Sequence, residues 1–126
     1  MRILAIDYGT KKIGLAVSNQ KGTIAFPFGI VDNNKHLNSA LQKIIQKEGI
    51  KKIVVGIPEY NKKTALYKEV EKFIKLLKQS TTTPVETEDE LLTSETGRKK
   101  MSLTHFVRDT HDVAAQVILE SYLKAY

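Results

Sequence analysis

Carboxylates are the residues of this chain whose placement points to chemistry. Asp7 stands between two apolar runs, Ile3–Ile6 and Ile13–Val17, which are joined by a short polar segment containing Gly9 and read as a β-hairpin. A charged group in such a strand pair is costly to bury unless it is paired or holds a cation. Asp7 is therefore expected either to cap the turn Tyr8–Lys11 or to hold a metal ion, with Lys11 and Lys12 beside it to meet a polyanion. Other acids stand at the ends of other elements. Glu88, Asp89 and Glu90 follow a brief fifth strand, and Asp109 and Asp112 precede or open the last helix. Phosphodiester cleavage by two metal ions needs carboxylates converging on cations about 3.5–4 Å apart. Magnesium takes only one or two of them each and keeps its waters, so acids drawn from separate elements are the expected pattern. The competing reading is a solvated loop acid or a helix cap. It is the preferred one for Glu88, for Asp89, and for Glu59 just past the fourth strand.

The elements that must position these acids follow from periodicity. After the first hairpin an extended run, Thr23–Val31, contains Pro27, which places it at a sheet edge because proline cannot donate to a central ladder. Asp32, Asn33 and Asn34 offer caps to a helix carrying Leu37, Leu41, Ile44 and Ile45, and Gly49 ends it. Ile50–Ile57, closed by Pro58, has the β-branched richness of a fully buried strand. A second helix is expected from about Lys63 to Gln79, with Leu66, Val70, Phe73, Ile74 and Leu77 on one face. A strand over Pro84–Thr87 follows, then a short helix capped by Thr93 or Ser94 and carrying Glu95. A final helix spans Asp112–Leu123, its packing stripe assigned to Val113, Ala114, Val117, Ile118 and Ser121. Three antiparallel strands followed by helix–strand crossovers give an α/β fold, a five-stranded mixed sheet with helices on both faces.

With 126 residues the chain is expected to form one domain over residues 1–126 around a single core. Hydrophobic residues make up 41% and charged residues 27%, as in an ordinary globular protein. The absence of cysteine excludes a disulfide framework and a thiolate metal site. No apolar stretch reaches membrane-span length and the N-terminus lacks a signal-peptide pattern, so a cytoplasmic location is expected. Twenty Lys and Arg against 14 Asp and Glu give a net charge of +6. That favours a polyanionic partner without naming one. Only Arg2, Arg98 and Arg108 are arginines, so the cations suit diffuse phosphate contact better than bidentate base reading.

The segment D-Y-G-T-K-K-I-G-L-A, Asp7–Ala16, resembles the D-x-G-x-K-R-I-G-x-A signature of the YqgF/RuvX family, the Holliday-junction-resolvase-like and pre-rRNA-processing nucleases. The resemblance continues through V-V-G-I-P at Val54–Pro58, D-E-L-L-T-S at Asp89–Ser94 and A-A-Q-V-I-L-E-S-Y-L at Ala114–Leu123. It implies a ribonuclease-H-like fold and a site for Mg²⁺ or Mn²⁺, two ions being expected. It implies Asp7 and Glu90 as catalytic metal ligands together with a third acid at the start of the last helix, for which Asp112, one residue past the family position, is chosen and Asp109 is the alternative. Three positions depart from the family pattern. Lys12 and Leu91 each replace an arginine, and His111 stands where the family has an aspartate three residues before its Ala-Ala pair. His111 is accordingly treated as a neighbour of the ligands.

Substrate contact is assigned to Lys11, Lys12, Lys62, Lys63, Lys99 and Lys100, three pairs in or beside loops near the acidic strand ends. Lys51–Lys52, at a strand start, is expected to face away. The leading reading is a metal-dependent nuclease acting on structured nucleic acid: precursor rRNA at the pre-16S 5′ end, with ribosome precursors as partners, or branched DNA. Two readings compete. One is a nucleic-acid or ribosome-binding module that has lost catalysis. The other is an actin-like phosphate-binding fold, which would need a second domain around its nucleotide.

Overall fold

The computed structural model describes residues 1–57, 64–89 and 111–125. Strands β1 (Arg2–Asp7), β2 (Lys12–Ser18) and β3 (Ala25–Asp32) come first. Helix α1 (Leu37–Lys47), β4 (Ile50–Ile57), α2 (Ala65–Ser80), β5 (Val85–Asp89) and α3 (His111–Ala125) follow. The five strands form one sheet in the order β3-β2-β1-β4-β5. The pairs β1–β2 and β2–β3 are antiparallel, whereas β1–β4 and β4–β5 are parallel. This is the expected mixed sheet, with Pro27 on the edge strand as its missing N–H requires.

Each face of the sheet carries its own core. Leu4 and Ile6 of β1, Ile13, Leu15 and Val17 of β2, and Ile53 and Val55 of β4 pack against Leu37, Leu41 and Ile45 of α1 and Val70, Ile74 and Leu77 of α2. Thr64 caps α2 by accepting a hydrogen bond from the Tyr67 N–H at 3.1 Å. Gly49, at φ 63°, closes α1 in the left-handed conformation that glycine adopts most cheaply. The residue at the N-cap of α1 is His36, which makes no side-chain cap bond. Asn34 instead ties the preceding turn by accepting the His36 N–H at 2.9 Å.

The second face is built from small residues. Ile3, Ala5, Ala16, Ala25 and Val54 meet Ala115, Ile118, Leu119 and Tyr122 of α3. The stripe of α3 is thus 115, 118, 119 and 122, rotated from the expected one; Val113, Ala114, Val117 and Ser121 are only part-buried. The helix is apolar around most of its girth, so periodicity leaves its buried side open, and close approach to the sheet decides it. A Cβ on Gly14 would stand 2.0 Å from the His111 carbonyl oxygen and 2.2 Å from its carbonyl carbon. The first turn of α3 therefore lies with its backbone directly on the β2 backbone, which only glycine permits. Several boundaries also shift by one or two residues from expectation, and three of them bear on the site. β3 begins at Ala25, α3 includes His111, and β5 runs on to take in Glu88 and Asp89, which the parallel ladder to Gly56 and Ile57 keeps extended.

At its other end α3 is held by a polar triad. The Lys52 ammonium donates to the Tyr122 hydroxyl at 3.0 Å and lies 2.9 Å from Glu86 Oε2, while the Tyr122 hydroxyl donates to Glu86 Oε1 at 2.9 Å. The hydrogen bond to Tyr122, then that to Glu86, pushes Lys52 up to about 12 from 10.5. Lys52 chiefly, then Tyr122, holds Glu86 below its ordinary value, and burial pushes Tyr122 up.

Two outcomes test this packing. Gly14→Ala should lower unfolding free energy in denaturant by about 1–3 kcal/mol, the usual cost of overpacking. Gly29→Ala, where an added Cβ meets nothing within 4 Å, should stay within about 0.5 kcal/mol of wild type. Because Lys52 is raised in the folded state, its contribution is fully present below about pH 10.5 and is lost as pH rises through about 12. Thermal melts across that range should show a fall that Tyr122→Phe reduces.

Candidate active site at the end of β1

Asp7 is the last residue of β1 and pairs in register with Gly14 of β2. Side chains alternate along a strand, so Asp7 follows Ile3 and Ala5 onto the α3 face, while Leu4 and Ile6 occupy the other. Its side chain is 16% exposed, and His111 Nδ1 lies 3.7 Å from Asp7 Oδ2. That separation is longer than a hydrogen bond and leaves an electrostatic contact when the imidazole is protonated. The neighbourhood is assembled by two glycines. Gly14 admits the turn carrying His111, and a Cβ on Gly9 would come 3.5 Å from His111 Cε1.

Asp112, the acid in the first turn of α3, is part-buried. Its Oδ1 accepts the Val113 N–H at 3.0 Å, which leaves Oδ2 for another partner. Positions 111 and 112 continue the sheet-facing stripe of 115, 118 and 119 one turn backward, so both belong to the face that covers β1 and β2. Asp112 thus stands on the helix face that covers β1 and β2, and it is its neighbour His111 that comes within 3.7 Å of Asp7.

Sequence reasoning passed over Glu88. β5 is two residues longer than expected, and Glu88 is in register with Gly56 of β4. The β1–β4 ladder runs parallel to Ile6↔Val55, so Asp7 and Gly56 stand one step further along adjacent strands. Asp7, Gly56 and Glu88 therefore form one row across the sheet on one face, with a side-chain-free residue between the acids. The signal was the T-E-D-E run, but its in-out alternation depends on where β5 ends.

The lysines divide. Lys11 is exposed in the turn after β1 and makes no ion pair among the described residues. Lys12, on the same face as Gly14, is bonded to Asp32, its cross-strand partner on β3. Both members of that pair are more than half exposed, so it is worth little, yet it partly neutralises the cation. Asn33 steadies the turn from the side by donating its amide to the Gly9 carbonyl at 2.8 Å, while its backbone N–H bonds Lys11 O at 2.9 Å. Lys52 faces the α3 side and serves the triad; Lys51 is exposed. Glu59, Glu90, Leu91, Asp109, Lys62, Lys63, Lys99 and Lys100, and the short helix with Glu95, lie outside the described residues.

Among the described residues no cluster of three or more acids and histidines is close enough to hold a metal ion. The donor chemistry nonetheless suits a hard cation. Asp7 is a part-buried carboxylate at a strand end and Asp112 a part-buried one at a helix start, and carboxylate oxygens are the donors such an ion takes.

The chain matches the family model described as RuvX, Holliday junction resolvase, over residues 1–125. A Rickettsia typhi protein named as a candidate pre-16S rRNA nuclease is 36% identical over 98% of this chain and 85% of its own length. Among solved structures, Thermus thermophilus RuvC in complex with a Holliday junction substrate superposes at a TM-score of 0.72 and 14% identity, covering 99% of this chain and 94% of that one. The fowlpox virus Holliday junction resolvase gives 0.57 at 14% identity over the whole of both chains. At such identities the last two speak for a shared resolvase fold. No described helix is long and apolar enough to cross a membrane.

If Lys11 meets a phosphate, Lys11→Ala should reduce the slope of log K against log salt by about 0.7–0.9. Lys12→Ala should reduce it less, because Asp32 already offsets that charge. Binding isotherms on an uncleaved oligonucleotide between low and moderate salt measure both.

Proposed function

The chain belongs to the RuvX family and is a nuclease; we propose that it hydrolyses phosphodiester bonds of precursor 16S rRNA near its 5′ end, in the cytoplasm, on ribosome precursors. The observation that carries the reading is Asp7. A part-exposed acid ends the central strand, and the first turn of α3 is set against it through the Gly14 contact. The substrate follows the relatives named for pre-16S rRNA, while the resolvase fold of the structural neighbours supports branched DNA as the second substrate to be tested.

In this reading Asp7, Asp112 and Glu90 hold Mg²⁺ or Mn²⁺. When bound, the ion polarises the phosphate and activates a water. Asp7 fixes the position of the cation at the strand end. Asp112, already bonded to the Val113 N–H through one oxygen, offers the other. Asp109 is the alternative third acid, and Glu88 stands on the same face to balance charge from the β5 side. His111, 3.7 Å from Asp7, is placed to orient that carboxylate or to pass a proton to solvent. Lys11 and Lys12, with Lys62, Lys63, Lys99 and Lys100, hold the polyanion that the acids would otherwise repel.

Cleavage of a precursor-rRNA mimic and of a four-way DNA junction, followed across Mg²⁺ and Mn²⁺ concentrations, tests the scheme. Asp7→Asn should keep the fold and lose more than about 100-fold in rate, the upper end of what even outer partners of a metal ligand cost. Asp112→Asn should raise the metal concentration needed for half-maximal rate, and His111→Ala should raise it less. Activity of Asp7→Asn equal to wild type would remove the catalytic reading and leave a binding module.

A further inference from the structure

Tyr8 follows Asp7, and at the end of a strand consecutive side chains leave opposite faces. Where Asp7 joins the α3 face, Tyr8 packs with the core on the side of α1 and α2. There it forms one wall of an open cavity of about 460 Å³, within the roughly 300–1,000 Å³ range of sites that hold small organic groups. Its ring centroid lies 5.0 Å from that of Phe73, with the planes 43° apart. Both rings are only partly buried.

The rest of the lining is mixed: Leu37, Leu76 and Leu77 extend its apolar wall, Glu69 contributes an acid, and asparagines and two lysines supply polar and basic groups. Asn34 and Asn38, at the start of α1, each use the side-chain oxygen on a local partner, the His36 N–H and the Gln42 amide respectively. Their amide N–H groups remain without a partner among the described residues. Lys35 and Lys72 stand on either side of the cavity, and neither makes an ion pair among the described residues. Aromatic surface, paired amide donors and two cations are the groups that receive a base, its acceptor edge and its phosphates.

We propose that this cavity is a subsite for one unstacked nucleotide of the substrate RNA strand. Its base lies against Tyr8 and Phe73, Asn34 and Asn38 donate to the base edge, and Lys35 and Lys72 hold the flanking phosphates. The inference rests on the nuclease reading, and adds that a strand cut at Asp7 continues over the Gly9–Lys11 turn to the opposite face of the sheet. Cleavage on one face and base capture on the other share a single strand end, so the subsite places the scissile bond at a set distance from an unpaired base.

The test reads binding in chelator, where cleavage plays no part. Fluorescence anisotropy is measured for a single-stranded oligoribonucleotide and for a series carrying one abasic position walked along it. Wild type should lose about tenfold in affinity at one position of the walk. That loss should vanish in Asn38→Ala/Phe73→Leu, whose affinity for the intact oligomer should already be about tenfold lower; circular dichroism checks that the variant is folded. Lys72→Ala, on an exposed helix position, should weaken the intact and abasic oligomers alike. A flat walk, or a positional loss that persists in the double variant, overturns the subsite and leaves the Asp7 reading standing. Nucleoside monophosphates that compete as strongly as the oligomer overturn it too, since the cavity would then serve a free nucleotide. Failure of any oligonucleotide to bind overturns the subsite together with the nuclease reading.

Discussion

The backbone contact between the first turn of α3 and β2 at Gly14 is the constraint on which the site depends. A helix normally stands off a sheet by the depth of two side-chain layers. Here a Cβ would fall 2.0 Å from a carbonyl oxygen, so that layer is missing at one point. The surrounding face is prepared for it, with Ala5, Ala16 and Ala25 on the sheet and Ala115 on the helix, all buried. The result is that His111 and Asp112 enter at the level of the strand ends, where Asp7 stops β1.

The two ends of α3 are secured by different physics. Near Asp7 the contact is steric, the Gly14 backbone meeting the His111 carbonyl, and it brings His111 Nδ1 to 3.7 Å from Asp7 Oδ2. At the far end Lys52, Tyr122 and Glu86 satisfy one another, and every charge there has a partner. A mutually satisfied polar network of that kind orients an element in one way even where, as here, it is partly exposed. The Lys52–Tyr122–Glu86 network thus fixes the far end of α3, while its first turn is set by the close approach to Gly14.

The strand end also joins two different environments. The α3 face holds acids, and the α1–α2 face holds the Tyr8–Phe73 pair with asparagines and lysines around it. Lys11 sits on the turn between them. An extended polyanion that touches both must cross that turn, so the position of Lys11, which makes no ion pair among the described residues, is a consequence of the topology. The exposed Lys12–Asp32 pair marks the edge of the same path on β3.

Much of this was legible in the amino-acid sequence because it rests on local periodicity and on residues with narrow conformational roles. Pro27 announced an edge strand, Gly49 a helix end, and the β-branched richness of Ile50–Ile57 a strand whose centre, Ile53 to Val55, is buried. Asp7 stood out as a charge in an apolar hairpin, and the motifs around it carried the family. The sequence could not orient α3, because a helix with apolar residues on most sides offers several stripes of similar quality. The close approach of the His111 backbone to Gly14 sets the rotation that turns Ala115, Ile118, Leu119 and Tyr122 to the sheet. Nor could it place Glu88 in a row with Asp7, since that depends on parallel register across β1, β4 and β5, and register is a property of paired strands. The partnership of Lys12 with Asp32 and the loan of Lys52 to Tyr122 and Glu86 are likewise contacts between distant segments. Residue type announced which groups could do chemistry; the packing of three layers decided which of them were left free to do it.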